Sequence, residues 1–154
     1  MANESSIQAA LDFAINEEEA AAAFYTHMAG KVEKAWMKEI FQGFAKEELG
    51  HKAKLEAIKA GKKFLSDSSA NIPDIKIGDY MVEVETDDPD KLDYQSALII
   101  AMKKEKAAFR LYTDLAASTE DAELKEILLG LAQEEAKHKL RFEVEYDERV
   151  LTEN

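Results

Sequence analysis

Two short stretches, Glu48-Leu49-Gly50-His51 and Glu135-Ala136-Lys137-His138, carry the same two polar residues at the same spacing. On an α-helix, three residues turn through about 300°, so the glutamate and the histidine project from one face and can reach one metal ion. The second stretch follows the first at an offset of 87 residues, and the same offset pairs Glu18 with Glu105. The repeat predicts a duplicated helical hairpin whose repeated polar residues form one ligand set.

The duplication extends well beyond these residues. Residues 10–56 align with residues 97–143 without a gap, and about twenty of the roughly 47 positions are identical, which is more than shared helical composition would give. Polar residues on the buried stripes of the predicted helices are retained in both halves. Their retention carries the functional information, because a duplication alone indicates no activity.

Composition favours one all-α domain. A chain of 154 residues with 46% hydrophobic residues can bury a core, and 6 glycines and 2 prolines are few for a sheet protein with many turns. The formal net charge of −12 argues against nucleic acid and anionic membranes as partners. Cysteine is absent, which excludes disulfides and iron held by thiolates.

Targeting signals are not evident at the start of the sequence. Residues 1–6 lack a basic region followed by an apolar run, so we expect no signal peptide. No apolar stretch approaches the ~20 residues that a membrane span needs. We therefore expect a cytoplasmic protein.

The predicted organisation is a single domain of residues 1–154 in three parts. Hairpin one covers about 6–60, with Asn3, Ser5 or Ser6 as the N-cap of its first helix. A crossover covers about 61–92, where Pro and Gly interrupt the pattern, and Ile75, Ile77 and residues 81–84 suggest extended backbone between these interruptions. Hairpin two covers about 93–148, and its first helix has Asp93 as a candidate cap.

Four carboxylates on buried helix faces would repel one another strongly unless cations neutralise them. Two divalent ions balance four glutamates, and two histidines give each ion one nitrogen ligand. One Glu from each of two helices and Glu-x-x-His from each of the others is the arrangement of di-iron carboxylate bundles. The predicted ligands are Glu18, Glu48, His51, Glu105, Glu135 and His138. Six ligands for two ions leave positions open for O₂ or peroxide.

Other residues near the predicted ligands have open roles. Glu47 and Glu134 each lie four residues before a histidine and are alternative ligands. Tyr25 and Tyr112 each follow a single predicted glutamate by seven residues, which places them on nearly the same helix face. They are either core tyrosines or hydroxyl donors that hold a ligand carboxylate.

The doubled Glu-x₆-Tyr and Glu-x-x-His motifs resemble those of rubrerythrins, and the resemblance covers nearly the whole chain. It implies a ferritin-like four-helix bundle with a long crossover, a di-iron centre, a homodimer, and reduction of hydrogen peroxide. Two features depart from the family pattern. The sequence lacks a cysteine-containing rubredoxin domain, and Ala108 stands where rubrerythrins have a further glutamate, three residues beyond Glu105. Its repeat equivalent, Ala21, is also an alanine.

These features predict a non-haem di-iron oxidoreductase that reduces H₂O₂ or O₂. Its electrons would come from an external donor such as a separate rubredoxin. Two alternatives stay open: a ferroxidase, and an iron-binding or iron-buffering protein without turnover. Glutamate and histidine also accept manganese and zinc, so the sequence does not decide the metal.

Overall fold

The computed structural model of the protein describes residues 2–61, 77–84, 86 and 88–151, and within these ranges the backbone forms four long helices and no strand. They are α1 (Ala2–Lys31), α2 (Ala35–Gly61), α3 (Tyr94–Ala117) and α4 (Ala122–Glu145). A π-helical segment, Tyr146–Leu151, follows α4 directly. Where the structure describes the crossover, it forms two short 3₁₀ turns, Ile77–Tyr80 and Pro89–Lys91. The prediction of an all-α protein is confirmed.

Helix packing follows the predicted duplication. α1 packs along α2 and α3 packs along α4, while contacts of α1 with α3 and of α2 with α4 join the two hairpins. The buried residues of α2 recur every three or four positions, as one face of a helix requires. They are Phe41, Ala45, Glu48, His51, Leu55 and Ile58. The polar pair therefore lies on the same buried stripe as the apolar residues, and the predicted four-helix bundle is confirmed.

The start of α3 agrees with the prediction, whereas the start of α1 differs from it. The Asp93 carboxylate accepts a hydrogen bond from the Ser96 amide at 2.8 Å, which confirms it as the N-cap of α3. In contrast, α1 already begins at Ala2, so the predicted caps at Asn3, Ser5 and Ser6 lie inside the helix and that prediction is wrong. Helix propensities differ by less than ~1 kcal/mol among such residues, too little to force a start.

The described part of the crossover is tied to the bundle by polar contacts. Tyr80 donates a hydrogen bond to Asp114 on α3 at 2.5 Å, and His27 on α1 lies 3.1 Å from Asp90. Extended backbone was predicted at Ile75, at Ile77 and at residues 81–84. Residues 77–80 instead form a 3₁₀ turn, residues 81–84 are neither helix nor strand, and Ile75 lies outside the described residues, together with the rest of 62–76.

Two apolar clusters fill the bundle at opposite ends of the polar stripe. The leucine cluster contains, among others, Leu11, Leu55, Leu111, Tyr112, Leu115, Leu124, Leu128 and Leu131. The aromatic cluster contains, among others, Phe24, Tyr25, Met28, Phe41, Leu98 and Phe142, with Phe44, Tyr94 and Tyr146 packed against it. Along every helix one cluster precedes the polar residues and the other follows them, so the polar residues occupy the middle of the bundle.

None of the described helices combines the length and apolarity that crossing a bilayer requires.

Candidate metal centre

Each helix contributes to one polar cluster at the middle of the bundle. α1 and α3 each supply one glutamate, and α2 and α4 each supply a Glu-x-x-His pair. All six side chains are buried, with between 1% and 3% of their surface exposed. They are the six residues that the sequence singled out: Glu18, Glu48, His51, Glu105, Glu135 and His138.

The six side chains form two overlapping groups in which one ligand atom of each residue lies within 4.8 Å of the others. The first group contains Glu18, Glu48, His51 and Glu135. The second group contains Glu48, Glu105, Glu135 and His138. Because Glu48 and Glu135 belong to both groups, their carboxylates lie where they could bridge two ions. Each group has one imidazole of its own.

One buried polar atom on each of these six residues makes no hydrogen bond of acceptable geometry in the described part of the chain, although several of these atoms lie close together. The His51 Nδ1 atom lies 2.8 Å from Oε2 of Glu18 and 2.7 Å from Oε1 of Glu135. The His138 Nδ1 atom lies 3.2 Å from Oε1 of Glu48. Ligand atoms bonded to one ion at about 2.1 Å and at right angles are about 3 Å apart. The residues therefore fit metal ions, which satisfy several such atoms at once.

Comparison with known proteins supports the same interpretation. A family model described as Rubrerythrin matches residues 9–146, which include the predicted ligands and parts of all four helices. The chain belongs to the rubrerythrin family. Neither the curated proteins nor the solved structures provided a match to the chain. Family membership and the buried Glu/His cluster together indicate a ferritin-like fold with a metal site compatible with two iron ions.

In the metal-free rubrerythrin-family protein, protons compensate part of the negative charge. Burial raises the pKa of Glu18 to about 8, and the negative charge of Glu48 adds to the effect. Burial also raises the pKa of Glu135 well above its ordinary value, reinforced by the charge of Glu105. Burial lowers the pKa of His138, but attraction to Glu105 and Glu48 outweighs it and raises this pKa to about 10. Metal ions must therefore displace protons to bind.

Glu47 and Glu134, the alternative ligands, contact the outer nitrogens of the two histidines. Oε2 of Glu134 lies 2.7 Å from Nε2 of His51, and Oε2 of Glu47 lies 3.0 Å from Nε2 of His138. Each contact crosses between α2 and α4. A carboxylate at Nε2 favours a proton there, which leaves the Nδ1 lone pair directed at the cluster. The geometry gives these glutamates an orienting position, outside the two groups of ligand atoms.

We expect Glu47→Gln and Glu134→Gln each to lower the affinity for Zn²⁺ or Co²⁺ by about 10–100-fold, because an outer carboxylate fixes the imidazole tautomer and raises its basicity. Competition against a chelating dye measures the affinity. Glu56→Gln, at an exposed position of α2, is the matched control and should leave it unchanged. Unaltered affinity in both substituted proteins would contradict the orienting role.

The two predicted tyrosines occupy equivalent places in the two clusters. Tyr25 donates a hydrogen bond to Oε1 of Glu105 at 2.5 Å, so it reaches a carboxylate of the opposite hairpin. Tyr112 is 1% exposed and lines a small cavity together with Glu18. The contact of Tyr25 is the kind that holds a carboxylate in place. The corresponding role of Tyr112 stays a prediction.

Sequence reasoning missed one neighbour of the centre. The Phe44 ring stacks on the imidazole of His138, with ring centroids 4.0 Å apart and an interplanar angle of 21°. Phe44 lies on the buried stripe of α2, where the sequence pattern indicates only a core residue. Its contact with His138 depends on how α2 packs against α4, which spacing along one helix does not specify.

Proposed function

We propose that this protein is a non-haem di-iron oxidoreductase that reduces hydrogen peroxide, or O₂, with electrons from a separate donor. The observation that carries the proposal is the pair of overlapping ligand groups, in which six buried polar atoms lack hydrogen-bond partners among the described residues. Four carboxylates balance the charge of two divalent ions. Membership of the rubrerythrin family favours iron over manganese and zinc, which the same ligands also accept.

The proposed ligands divide between the two positions. Glu18 and His51 would hold one ion, Glu105 and His138 would hold the other, and Glu48 and Glu135 would bridge them. A pair of ferrous ions supplies two electrons together, which is what peroxide reduction requires. Open positions on the ions would admit the oxidant.

Surrounding residues of the chain keep this arrangement in place. Tyr25 donates to Glu105 and so restrains that carboxylate when the charge of the centre changes. Glu47 and Glu134 hold the imidazoles with Nδ1 directed inward. The low exposure of all six ligands excludes bulk water, which strengthens each electrostatic contact.

The proposed partners follow from the residue types present. The 154 residues contain no cysteine and cannot hold a thiolate-bound iron, so the electrons must come from outside them. A separate rubredoxin is one donor of the required kind. We also propose a homodimer, as the family resemblance implies, and analytical ultracentrifugation tests it.

We expect the diferrous protein to undergo one fast oxidation by H₂O₂, with two iron ions oxidised per peroxide. Sustained turnover should require an added reductant, because no second redox metal can be held by cysteine in this sequence. Stopped-flow absorbance with H₂O₂ and O₂ at equal concentration measures both reactions, and the slower one should be that with O₂. The Zn²⁺-loaded protein, which cannot change oxidation state, is the control. Faster oxidation by O₂ with an accumulating ferric mineral would indicate a ferroxidase instead.

A further inference from the structure

The two ends of the bundle differ in a way that the duplication does not require. Equivalent positions are 87 residues apart, and at four of them one end has phenylalanine where the other has leucine. These pairs are Phe24 with Leu111, Phe41 with Leu128, Phe44 with Leu131, and Phe142 with Leu55. All four leucines are in the leucine cluster with Tyr112. Leucine side chains therefore suffice to fill the core around Tyr112. Packing alone does not explain why aromatic rings surround Tyr25.

The rings form a continuous series from the candidate metal centre toward one end of the bundle. The hydroxyl of Tyr25 lies 2.5 Å from Glu105. The Tyr25 ring lies 6.0 Å from the Phe41 ring, measured between centroids, and the Phe41 ring lies 6.4 Å from the ring of Tyr94. Tyr94 is the first residue of α3 and is partly exposed. Two redox-capable phenols are thus joined by one intervening ring, at a separation over which electrons tunnel readily in proteins.

A buried carboxylate accompanies the outer phenol. Glu145 is 2% exposed, and its Oε2 accepts a hydrogen bond from the Tyr94 hydroxyl at 3.0 Å. Its equivalent in the other half is Ile58, an apolar residue. The Glu145 side chain also lies 3.4 Å from the guanidinium of Arg141. A phenol gives up an electron far more easily when its proton has an acceptor, and both Tyr25 and Tyr94 have a carboxylate in that position.

We propose that Tyr25 and Tyr94 carry a one-electron oxidising equivalent from the metal centre to the surface and so protect the centre from self-oxidation. This inference rests on the proposed function, because the oxidant arises when peroxide meets a centre that can supply only one electron. That oxidant is of the hydroxyl-radical class. Radicals of this class attack nearby ligands and rings unless an electron reaches them first.

The electrons and protons balance at each step. A single Fe²⁺ ion held by the proposed ligands would give H₂O₂ one electron, which would leave a ferric ion, hydroxide and a hydroxyl radical. Tyr25 gives the radical an electron, which makes a second hydroxide, and its phenolic proton moves to Glu105. Tyr94 then returns an electron to Tyr25, which recovers its proton from Glu105, while the Tyr94 proton moves to Glu145. An external one-electron donor, such as a thiolate or ascorbate, restores Tyr94, and Glu145 gives back the proton.

The test uses protein loaded with one Fe²⁺ and one Zn²⁺ per chain, so that a mixed centre can supply one electron only. After mixing with H₂O₂ and rapid freezing, electron paramagnetic resonance should detect a tyrosyl radical. In the Tyr94→Phe variant we expect the radical signal to arise from Tyr25. In the Tyr25→Phe variant we expect no radical at Tyr94. Ring-deuterated tyrosine confirms that the signal is a phenoxyl radical. Glu145→Gln should slow radical formation at Tyr94 by about tenfold, since the charged acceptor is lost.

Matched variants distinguish a role of these rings in electron transfer from a role in core packing alone. Tyr112→Phe removes the equivalent phenol of the leucine cluster and should leave the Tyr94 radical in place. Phe41→Leu installs the residue found at the equivalent position 128 and should delay the Tyr94 radical while the Tyr25 radical persists. In the same samples, mass spectrometry should find more oxidised Phe44 and Phe142 in Tyr25→Phe than in the unsubstituted protein. Circular dichroism establishes that each variant is folded.

The outcomes distinguish this inference from the function on which it rests. Oxidation of iron without a radical at Tyr94, or an equal effect of Tyr112→Phe and Tyr25→Phe, would overturn the path and leave the oxidoreductase proposal standing. Failure of peroxide to oxidise the iron of the diferrous protein would overturn both, whereas failure with the mixed centre alone would overturn only the path. A Tyr94 radical that depends on Tyr25 and not on Tyr112 supports the path.

Discussion

Replacing Glu48 by alanine should remove at least one of two bound metal ions, and Glu135→Ala should have a similar effect. Both carboxylates belong to both groups of ligand atoms, so each substitution takes a ligand from both positions. The duplication of the chain makes the two sites of substitution equivalent, and the losses should therefore be alike. Purified protein loaded anaerobically with Fe²⁺ and then dialysed can be analysed for iron by mass spectrometry.

Two controls accompany these variants. Glu56→Ala removes an exposed carboxylate from the same helix as Glu48 and should leave two ions bound. Glu48→Gln retains the volume of the side chain, so a loss of metal in this variant reports the missing charge and not a cavity. Full occupancy in both alanine variants would remove Glu48 and Glu135 from the ligand set.

Local spacing was enough to predict the cluster. Glu48 and His51 must share a helix face because they are three residues apart, and the duplicated pair Glu135 and His138 retains the same spacing. The four helices follow from apolar residues at intervals of three and four. These properties depend on one helix at a time, so sequence alone can define them.

Contacts between helices were harder to predict. The sequence placed Glu47 and Glu134 near the histidines but left open whether they bind the metal. The structure directs each one across the α2–α4 interface to the outer nitrogen of the opposite histidine. Tyr25 likewise bonds to Glu105 of the other hairpin and not to a residue of its own helix. These contact partners depend on the distance between neighbouring helices and on the rotation of each helix about its axis. The spacing of residues along one helix does not specify either quantity.

Binding of metal should raise the melting temperature of the protein substantially. An ion that binds only the folded state, at a free concentration of about 1,000 times its dissociation constant, adds about 4 kcal/mol of stability. For a domain of this size that corresponds to about 10 °C. Differential scanning calorimetry of the metal-free and Zn²⁺-loaded protein measures the shift. An unchanged melting temperature would mean that the buried glutamates do not form one metal site.

The pH dependence of the metal-free protein provides a second test of the same cluster. The pKa of Glu18 is raised to about 8 from an ordinary 4.5, and that of His138 to about 10 from 6.5. A group whose pKa is raised by folding adds to the free energy of unfolding. This contribution is complete when the pH lies below the pKa of the unfolded chain, and it is lost as the pH rises through the pKa of the folded protein. The melting temperature of the metal-free protein should therefore fall as the pH rises from about 4.5 to about 10, most steeply between about pH 6.5 and pH 8, where both groups contribute.

Substitution of Glu18 and Glu105, the one predicted ligand on α1 and the one on α3, separates the pH response of the cluster from a general response of the fold to pH. The double variant Glu18→Gln/Glu105→Gln removes two of the four clustered carboxylates and keeps their volume. We expect it to be more stable than the unsubstituted protein when both are metal-free, with the difference growing toward pH 9, where the raised pKa of Glu18 no longer keeps that group protonated. The variant should also gain much less stability from Zn²⁺. A double variant that melts below the unsubstituted metal-free protein at pH 9 would show that repulsion among these carboxylates does not limit stability.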